Sequence, residues 1–202
     1  MKILKLDNDN IAKLAASCAE LFSACPGAVV LIPTETVYGL ACKSSDKSAI
    51  DKIYSMKDRD FSKPMQIFVK DIDELKATGA ILSPLAEKIS AAFCPGPVTI
   101  IVPNRSGGKM GFRIPDHPFV LKFMEMIGFA LSATSANLSG KPNAMNVEDA
   151  LSQLDGKPDI VIDAGQLPEG AMASTVIEVA GETFKILRRG PITEEMIEEA
   201  VY

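Results

Sequence analysis

Tryptophan is absent and histidine occurs once, as His117. The four cysteines, Cys18, Cys25, Cys42 and Cys94, form no CxxC pair. A Cys/His zinc site needs several such ligands at short spacing, so none is expected. Cys18 falls on an apolar helical stripe, and Cys42 and Cys94 adjoin apolar stretches, which suits buried free thiols in a reducing compartment. A catalytic cysteine would have no histidine beside it in sequence. Two nucleotide signatures are also missing: the GxxxxGKS/T loop, and a GxGxxG fingerprint after a strand. Any nucleotide must therefore bind on another scaffold. No apolar run reaches membrane-spanning length, and Lys2, Lys5, Asp7 and Asp9 interrupt any signal-peptide pattern at the N-terminus. The expectation is a cytoplasmic protein with no membrane association.

Positive charge is the scarcer sign. Lysine and arginine number 21 against 26 aspartates and glutamates, for a net charge of −5. Such a chain does not coat nucleic acid non-specifically. An anion site has to be a local concentration of cations, and Lys57, Arg59, Lys63, Arg113, Arg188 and Arg189 can supply one if the fold gathers them. Scattered solubilising charge is the plainer alternative. With 202 residues, 47% hydrophobic and 23% charged, the chain suits one sizeable α/β domain over residues 1–202.

The apolar patterning predicts a strand over Lys2–Leu6, and a helix through Ile11, Leu14, Cys18 and Phe22, with Asn8 to Asn10 as cap and Pro26-Gly27 as stop. A buried strand over Ala28–Ile32 leads into the loop PTETVYGLA. Asp46 opens a helix that ends near Lys57. Further strands are expected at Met65–Val69, Val98–Val102, Phe129–Leu131, Ile160–Asp163, Thr175–Val179 and Phe184–Leu187. Helices are expected after Ser83-Pro84, from Pro118 to Gly128, from Asn146 to Leu154, and after Thr193. Asn104–Gly111 reads as a glycine-rich loop. Early alternation of helix and strand, then crowded strands, points to a mixed, twisted sheet flanked by helices.

Several short segments combine a hydroxyl or a cation with Gly or Pro beside an apolar run. Lys57, Arg59 and Lys63 lie within KDRDFSK. Alternate residues of extended chain point the same way, so Lys57 and Arg59 can address one polyphosphate. SATSANLSG follows a strand, where open α/β sheets place ligands. Its Ser132, Thr134, Ser135 and Asn137 can donate to anionic oxygens without adding charge. Thr34, Glu35 and Thr36 follow another strand, and Glu35 reads as a base, a metal contact or an anchor. Arg113 can clamp a carboxylate or phosphate, and Ser174-Thr175 with Arg188 repeats the hydroxyl-plus-cation theme. His117 reads as a local hydrogen-bonding group near a helix start.

PTETVYGL, the Lys-x-Arg of KDR, the Lys63-Pro64 pair, PGPVT from Pro95, FRIPDHP, the Ser-x-Asn of Ser135 and Asn137, STVI from Ser174, and ILRRG from Ile186 occur in that order between about Gly27 and Gly190. The set resembles the YrdC-like family, whose well-studied members are threonylcarbamoyl-AMP synthases. The match is to the short type without an appended C-terminal domain, with Asp60 where many members have proline. The resemblance implies a nucleotidyltransferase that takes ATP, L-threonine and bicarbonate or CO2 to threonylcarbamoyl-AMP and pyrophosphate, for modification of transfer RNA. It implies phosphate contacts from Lys57, Arg59, Lys63, Ser135, Asn137, Asn143 and Arg188, with Lys57 and Arg59 catalytic. It implies a threonine pocket at Thr34, Arg113 and Ser174. Mg2+ would arrive with ATP, with no metal site in the protein, and transfer RNA or its modification proteins are implied partners. An RNA-binding module of the same fold and a paralogue with another acyl acceptor are the alternatives. A sugar-phosphate synthase of related fold would need an acidic metal cluster that these basic, hydroxylic loops do not offer.

Overall fold

A computed structural model describes all residues from Met1 to Tyr202. Ten strands form one sheet. In chain order they are β1 (Lys2–Lys5), β2 (Val30–Ile32), β3 (Gly39–Lys43), β4 (Gln66–Phe68), β5 (Val98–Pro103), β6 (Lys109–Arg113), β7 (Leu131–Ser135), β8 (Ile160–Asp163), β9 (Thr175–Ala180) and β10 (Thr183–Arg188). Their spatial order is β1-β8-β2-β3-β7-β4-β6-β5-β9-β10. The pairs β1–β8, β2–β8, β4–β6 and β5–β9 are parallel, and the other neighbours are antiparallel. The mixed sheet expected from the sequence is present.

Helices cover the two halves of this sheet differently. In the first half, α1 (Ile11–Ala24) and α5 (Pro118–Ile127) take one face, and α2 (Lys47–Met56) and α6 (Val147–Gln153) take the other. The period of two sorts β2 accordingly: Val30 and Ile32 join the α1/α5 core, and Leu31 joins the α2/α6 core. Phe22 of α1 meets Phe123 of α5 edge-on at 5.5 Å. In the second half, α4 (Pro84–Phe93) and α7 (Glu194–Val201) join α3 (Ile72–Ala77) in one core with Val98, Ile100, Val102, Phe112, Ile177 and Val179. The alternating residues Thr99, Ile101, Gly111 and Val176 face away from that core and line a cleft.

Local chemistry accounts for most element ends. Asp46, Ser83, Asn146 and Thr193 each accept a backbone N–H of the first helical turn. Asn10 occupies the N-cap of α1 without such a bond, because its amide turns back to Lys5 and Asp7. Four expectations change. The stretch after PTETVY is a strand, β3, and a short helix, α3, follows β4; neither was expected. Lys109–Arg113 is strand β6, so the glycine loop shrinks to a tight turn at Asn104–Gly108, where the Asn104 side chain accepts from Ser106 and Gly108. The strand into SATSANLSG is longer than expected, so Ser132, Thr134 and Ser135 belong to β7 itself.

At the far edge, Gly190 lets the chain after β10 press onto the start of β9. A Cβ there would lie 2.5 Å from the Ala173 carbonyl and 2.7 Å from the Ser174 carbonyl carbon, all fixed backbone. Gly190→Ala is therefore expected to destabilise by about 1–3 kcal/mol, the usual cost of forced overpacking. Gly108→Ala, whose Cβ meets only the Asn104 side-chain tip at 3.7 Å, is the tolerated control. Thermal unfolding of both variants checks this, and equal melting temperatures would refute the packing argument.

Candidate active site

The open face of β4, β6, β5 and β9 is the floor of a cleft of about 220 Å³. Gln66, Thr99, Ile101, Gly111 and Val176 lie on it, Ala133 to Ser135 of β7 border it, and Arg59, Arg113 and Arg188 come in from three separate elements. No aspartate or glutamate lines it. On a chain of net charge −5, this is the local cation cluster that an anion site requires.

Each arginine is fixed by one edge. Arg113, only 2% exposed, donates from Nε to the Gly96 carbonyl (3.2 Å) and from Nη2 to Thr36 Oγ1 (2.9 Å) and Glu35 Oε1 (2.8 Å). Glu35 also accepts the Asp116 N–H at 2.9 Å, so of its three expected roles it fills that of anchor. Arg59 donates from Nε to the Lys63 carbonyl and from Nη2 to the Pro64 carbonyl, beside the Tyr54 ring. Arg188 donates from Nε and Nη2 to the Ser174 carbonyl, and from Nη2 to Ser174 Oγ. In all three the Nη1 amino group has no hydrogen-bond partner in the protein. Burial of the Arg188 guanidinium, and then the nearby charge of Arg113, lower its pKa from the ordinary value. Like charges held this close favour an anionic ligand between them.

Local backbone turns aim these side chains. Lys57 caps α2; Asp58 follows with φ of 47°, and the N–H groups of Asp58 and Arg59 bond back to Ser55 and Tyr54. This is a Schellman turn with aspartate in the left-handed position. It replaces the extended KDR segment expected from the sequence, and it sends Lys57 and Arg59 different ways. Arg59 lines the cleft. Lys57 is 1% exposed and donates its ammonium to the carbonyls of Ser135 and Asn137 behind it. Burial, and then the Arg59 charge, lower the Lys57 pKa to about 8. Asp60 closes the next turn by accepting the Ser62 N–H at 2.8 Å. On β10 a β-bulge does the aiming. Ile186 pairs with Ile177 and Arg188 with Val176, so Leu187 is an extra residue and Arg188 takes the place opposite the cleft-facing Val176.

The remaining expected residues divide. Ser135 and Ser174 line the cleft with the three arginines. Thr34 is buried behind it. Its hydroxyl donates to the Val37 carbonyl and accepts the N–H groups of Thr36 and Val37, which shapes the turn that carries Glu35 and Thr36 to Arg113. Asn137 is buried too, donating to the carbonyls of Leu138 and Lys141, while its Oδ1 has no partner. Lys63 is exposed and Asn143 half-buried on loops outside the cleft wall. His117 occupies the N-cap of α5 without a capping bond and its Nδ1 has no partner, so it is not the local hydrogen-bonding group expected. Burial lowers its pKa. All four thiols are free; Cys25 is exposed, and burial pushes Cys18 and Cys42 up to about 12 and Cys94 to about 11. Gln66 and Thr99 were missed in the sequence. Their signal was a polar residue inside an apolar strand run, which alternation alone explains as a solvent-facing position.

The family model Sua5/YciO/YrdC, described as telomere recombination, matches residues 25–190. Threonylcarbamoyl-AMP synthase of Bacillus subtilis is 33% identical over 98% of this chain and 58% of its own length. A putative threonylcarbamoyl-AMP synthase of Methanocaldococcus jannaschii is 34% identical over 82% of this chain and 81% of its own. The chain thus spans from little more than half to about four-fifths of these relatives. Sua5 of P. abyssi, solved in complex with L-threonine, aligns over 100% of this chain and 61% of its own at a TM-score of 0.84 and 28% identity. E. coli YciO shares the fold over 97% of this chain at a TM-score of 0.82 and 23% identity. No helix is long and apolar enough to cross a membrane. By sequence and by fold, this chain belongs to the Sua5/YciO/YrdC family.

Proposed function

We propose that the chain forms threonylcarbamoyl-AMP and pyrophosphate from ATP, L-threonine and bicarbonate or CO2. The observation that carries this reading is the trio of arginines, each pinned through Nε and Nη2 and leaving Nη1 unpaired on a cleft wall without carboxylates. Guanidinia fixed in advance lose little entropy on binding and meet developing phosphate charge without reorganising.

In this reaction the threonine amine adds to CO2 and loses a proton, giving a carbamate. A carbamate oxygen then attacks the α-phosphorus of ATP, and the bond from that phosphorus to the bridging oxygen breaks as pyrophosphate leaves. Arg59 and Arg188 take phosphate oxygens, and Arg113 with Ser174 takes the amino-acid end. Lys57 acts from behind: it holds the carbonyls of Ser135 and Asn137, fixes the end of β7 and adds positive charge beneath the phosphates. Thr34 acts at one remove, through Thr36 and Arg113. Lys63, Asn137 and Asn143 belong to the phosphate side by family resemblance. Mg2+ would be carried in with ATP and would neutralise phosphate charge there, and no carboxylate lines the cleft to hold it. Positioning and charge neutralisation supply the rate enhancement, with no general base assigned. A cytoplasmic setting and delivery of the product to transfer RNA modification are part of the proposal. The RNA-binding alternative fits less well, because Arg113 is too deeply buried to meet a surface phosphodiester.

Pyrophosphate should appear from ATP only when threonine and bicarbonate are both supplied, and the adenylate should be visible by mass spectrometry. Equal turnover without threonine would exclude this synthase. Arg59→Ala should lower turnover about tenfold or more, the worth of a charge-assisted contact, in a protein that still melts cooperatively.

Lys57 gives a pH test with two opposite signs. Its pKa is about 8 when folded and has an ordinary value of 10.5, so between these pH values the unfolded chain binds more protons. Stability contributed by this group therefore rises across that window, while ATP affinity falls as the charge is lost. Titration calorimetry and thermal unfolding from pH 7 to 10, on wild type and Lys57→Met, separate the two effects. ATP affinity that declines equally in both proteins would show that the Lys57 charge is not used.

A further inference from the structure

We infer that residues 166–173, between β8 and β9, form a lid that closes over the cleft when ATP and threonine are bound and shields the adenylate from water. The inference rests on the reaction proposed above for its substrates, while the lid itself is read from how the segment is held.

The two ends are fixed. Tyr38, 1% exposed, accepts the Ala164 N–H at 3.0 Å and donates its own proton to the Gly165 carbonyl at 2.8 Å. Asn146 donates to Gln166 Oε1, the Leu167 N–H donates to the Met145 carbonyl, and Leu167 is buried in the α2/α6 core. At the other end Arg188 holds the Ser174 carbonyl, and the Thr175 N–H donates to the Pro97 carbonyl.

The middle is not held. Across residues 168–173 the only hydrogen bond runs from the Ala171 N–H to the Pro168 carbonyl, within the segment itself. The N–H groups of Glu169, Gly170, Met172 and Ala173 have no partner in the protein. Gly170 has a φ of 81°, and nothing stands within 4 Å of where its Cβ would be. Met172 is 51% exposed.

This loose stretch bridges the cleft. Ala171 packs on the α2/α6 core, to which the cleft-lining Val37 belongs. Ser174 stands with Arg188 at the β9 and β10 side. Three steps of extended chain join the two and reach at most about 11 Å, and Ala173 among them lines the cleft. Closure gains what the free protein lacks: the unpaired N–H groups find substrate oxygens, and the Met172 side chain leaves water. Contacts made only with ligand present are what shifts such an equilibrium. The adenylate gives closure its use. Water adding to its carbamoyl carbon breaks the bond from that carbon to the phosphate oxygen, returning AMP and the carbamate, which loses CO2 to give threonine. A covered site keeps that water out.

Hydrogen exchange on the whole chain tests closure without turnover. With threonine and an ATP analogue carrying a methylene between its α and β phosphorus atoms, amides in residues 169–173 should exchange about tenfold more slowly or better, and the turn at residues 104–108 should not change. Tyr38→Phe keeps the ring and removes both anchoring bonds, and Gly170→Pro forbids the φ at the middle. Each should raise the AMP released per pyrophosphate formed about threefold or more, after correction for adenylate decay without enzyme. A merely structural role for Tyr38 would lower pyrophosphate and adenylate together and leave that ratio unchanged. Protection in a wild type that forms no adenylate would support the lid and sink the proposed reaction. Unchanged exchange on adding both ligands, or an unchanged ratio in both variants, would overturn the lid.

Discussion

Placing a guanidinium in a protein interior is costly unless nearly every N–H finds an acceptor. Arg113 satisfies its Nε and Nη2 groups with acceptors from two distant stretches, Glu35 and Thr36 on the turn after β2 and the Gly96 carbonyl on the loop into β5, and leaves only Nη1 for a ligand. The turn is itself shaped by the Thr34 hydroxyl, and its Glu35 also holds the Asp116 backbone ahead of α5. One buried cation thus ties the two differently covered halves of the sheet together at the point where the cleft opens. Removing Glu35 would strand that charge, so the carboxylate is as much a part of the anion site as the arginines, although it never faces an anion.

The cleft exists because helices cover only one face of the second half-sheet. On the covered face Val98, Ile100, Val102, Ile177 and Val179 form a core. The same strands present Thr99, Ile101 and Val176 on the other side. A site on strands inherits their rigidity. Small residues, Gly111 and Ala133, keep the floor low enough for a ligand to reach the polar groups. The hydroxyls and the amide on that floor are already joined to one another, so substrate meets polar side chains that are held in place before it arrives.

Much of this was legible in the chain. Helix starts at Asp46, Ser83, Asn146 and Thr193 follow from side chains that bond their own first turn, a local effect readable without tertiary context. The ordered motifs were sufficient to place the chain in its family. What stayed hidden was decided by contacts far apart in sequence. β3 starts at a glycine and holds a cysteine and an alanine, and it is a strand because β2 and β7 pair with it on both sides. The direction of Lys57 depends on a left-handed residue at Asp58, a conformation aspartate adopts far less readily than glycine. Gln66 looked like an ordinary outward-facing position, because only the pairing of β4 with β6 and β7 reveals that outward means into the cleft.

The bulge at Leu187 has a second consequence, for the sheet as a template. β10 is the outermost strand, and an outer strand leaves a row of unpaired peptide groups to which another chain can add. A regular ladder would extend that row to the end of the strand. The extra residue breaks its spacing between Ile186 and Arg188, and the cation that follows points into the cleft in place of lying along the edge. The irregularity that aims Arg188 at its ligand also makes the border of the sheet a poor surface for further strands to join. Binding geometry and protection from aggregation are here served by one inserted residue.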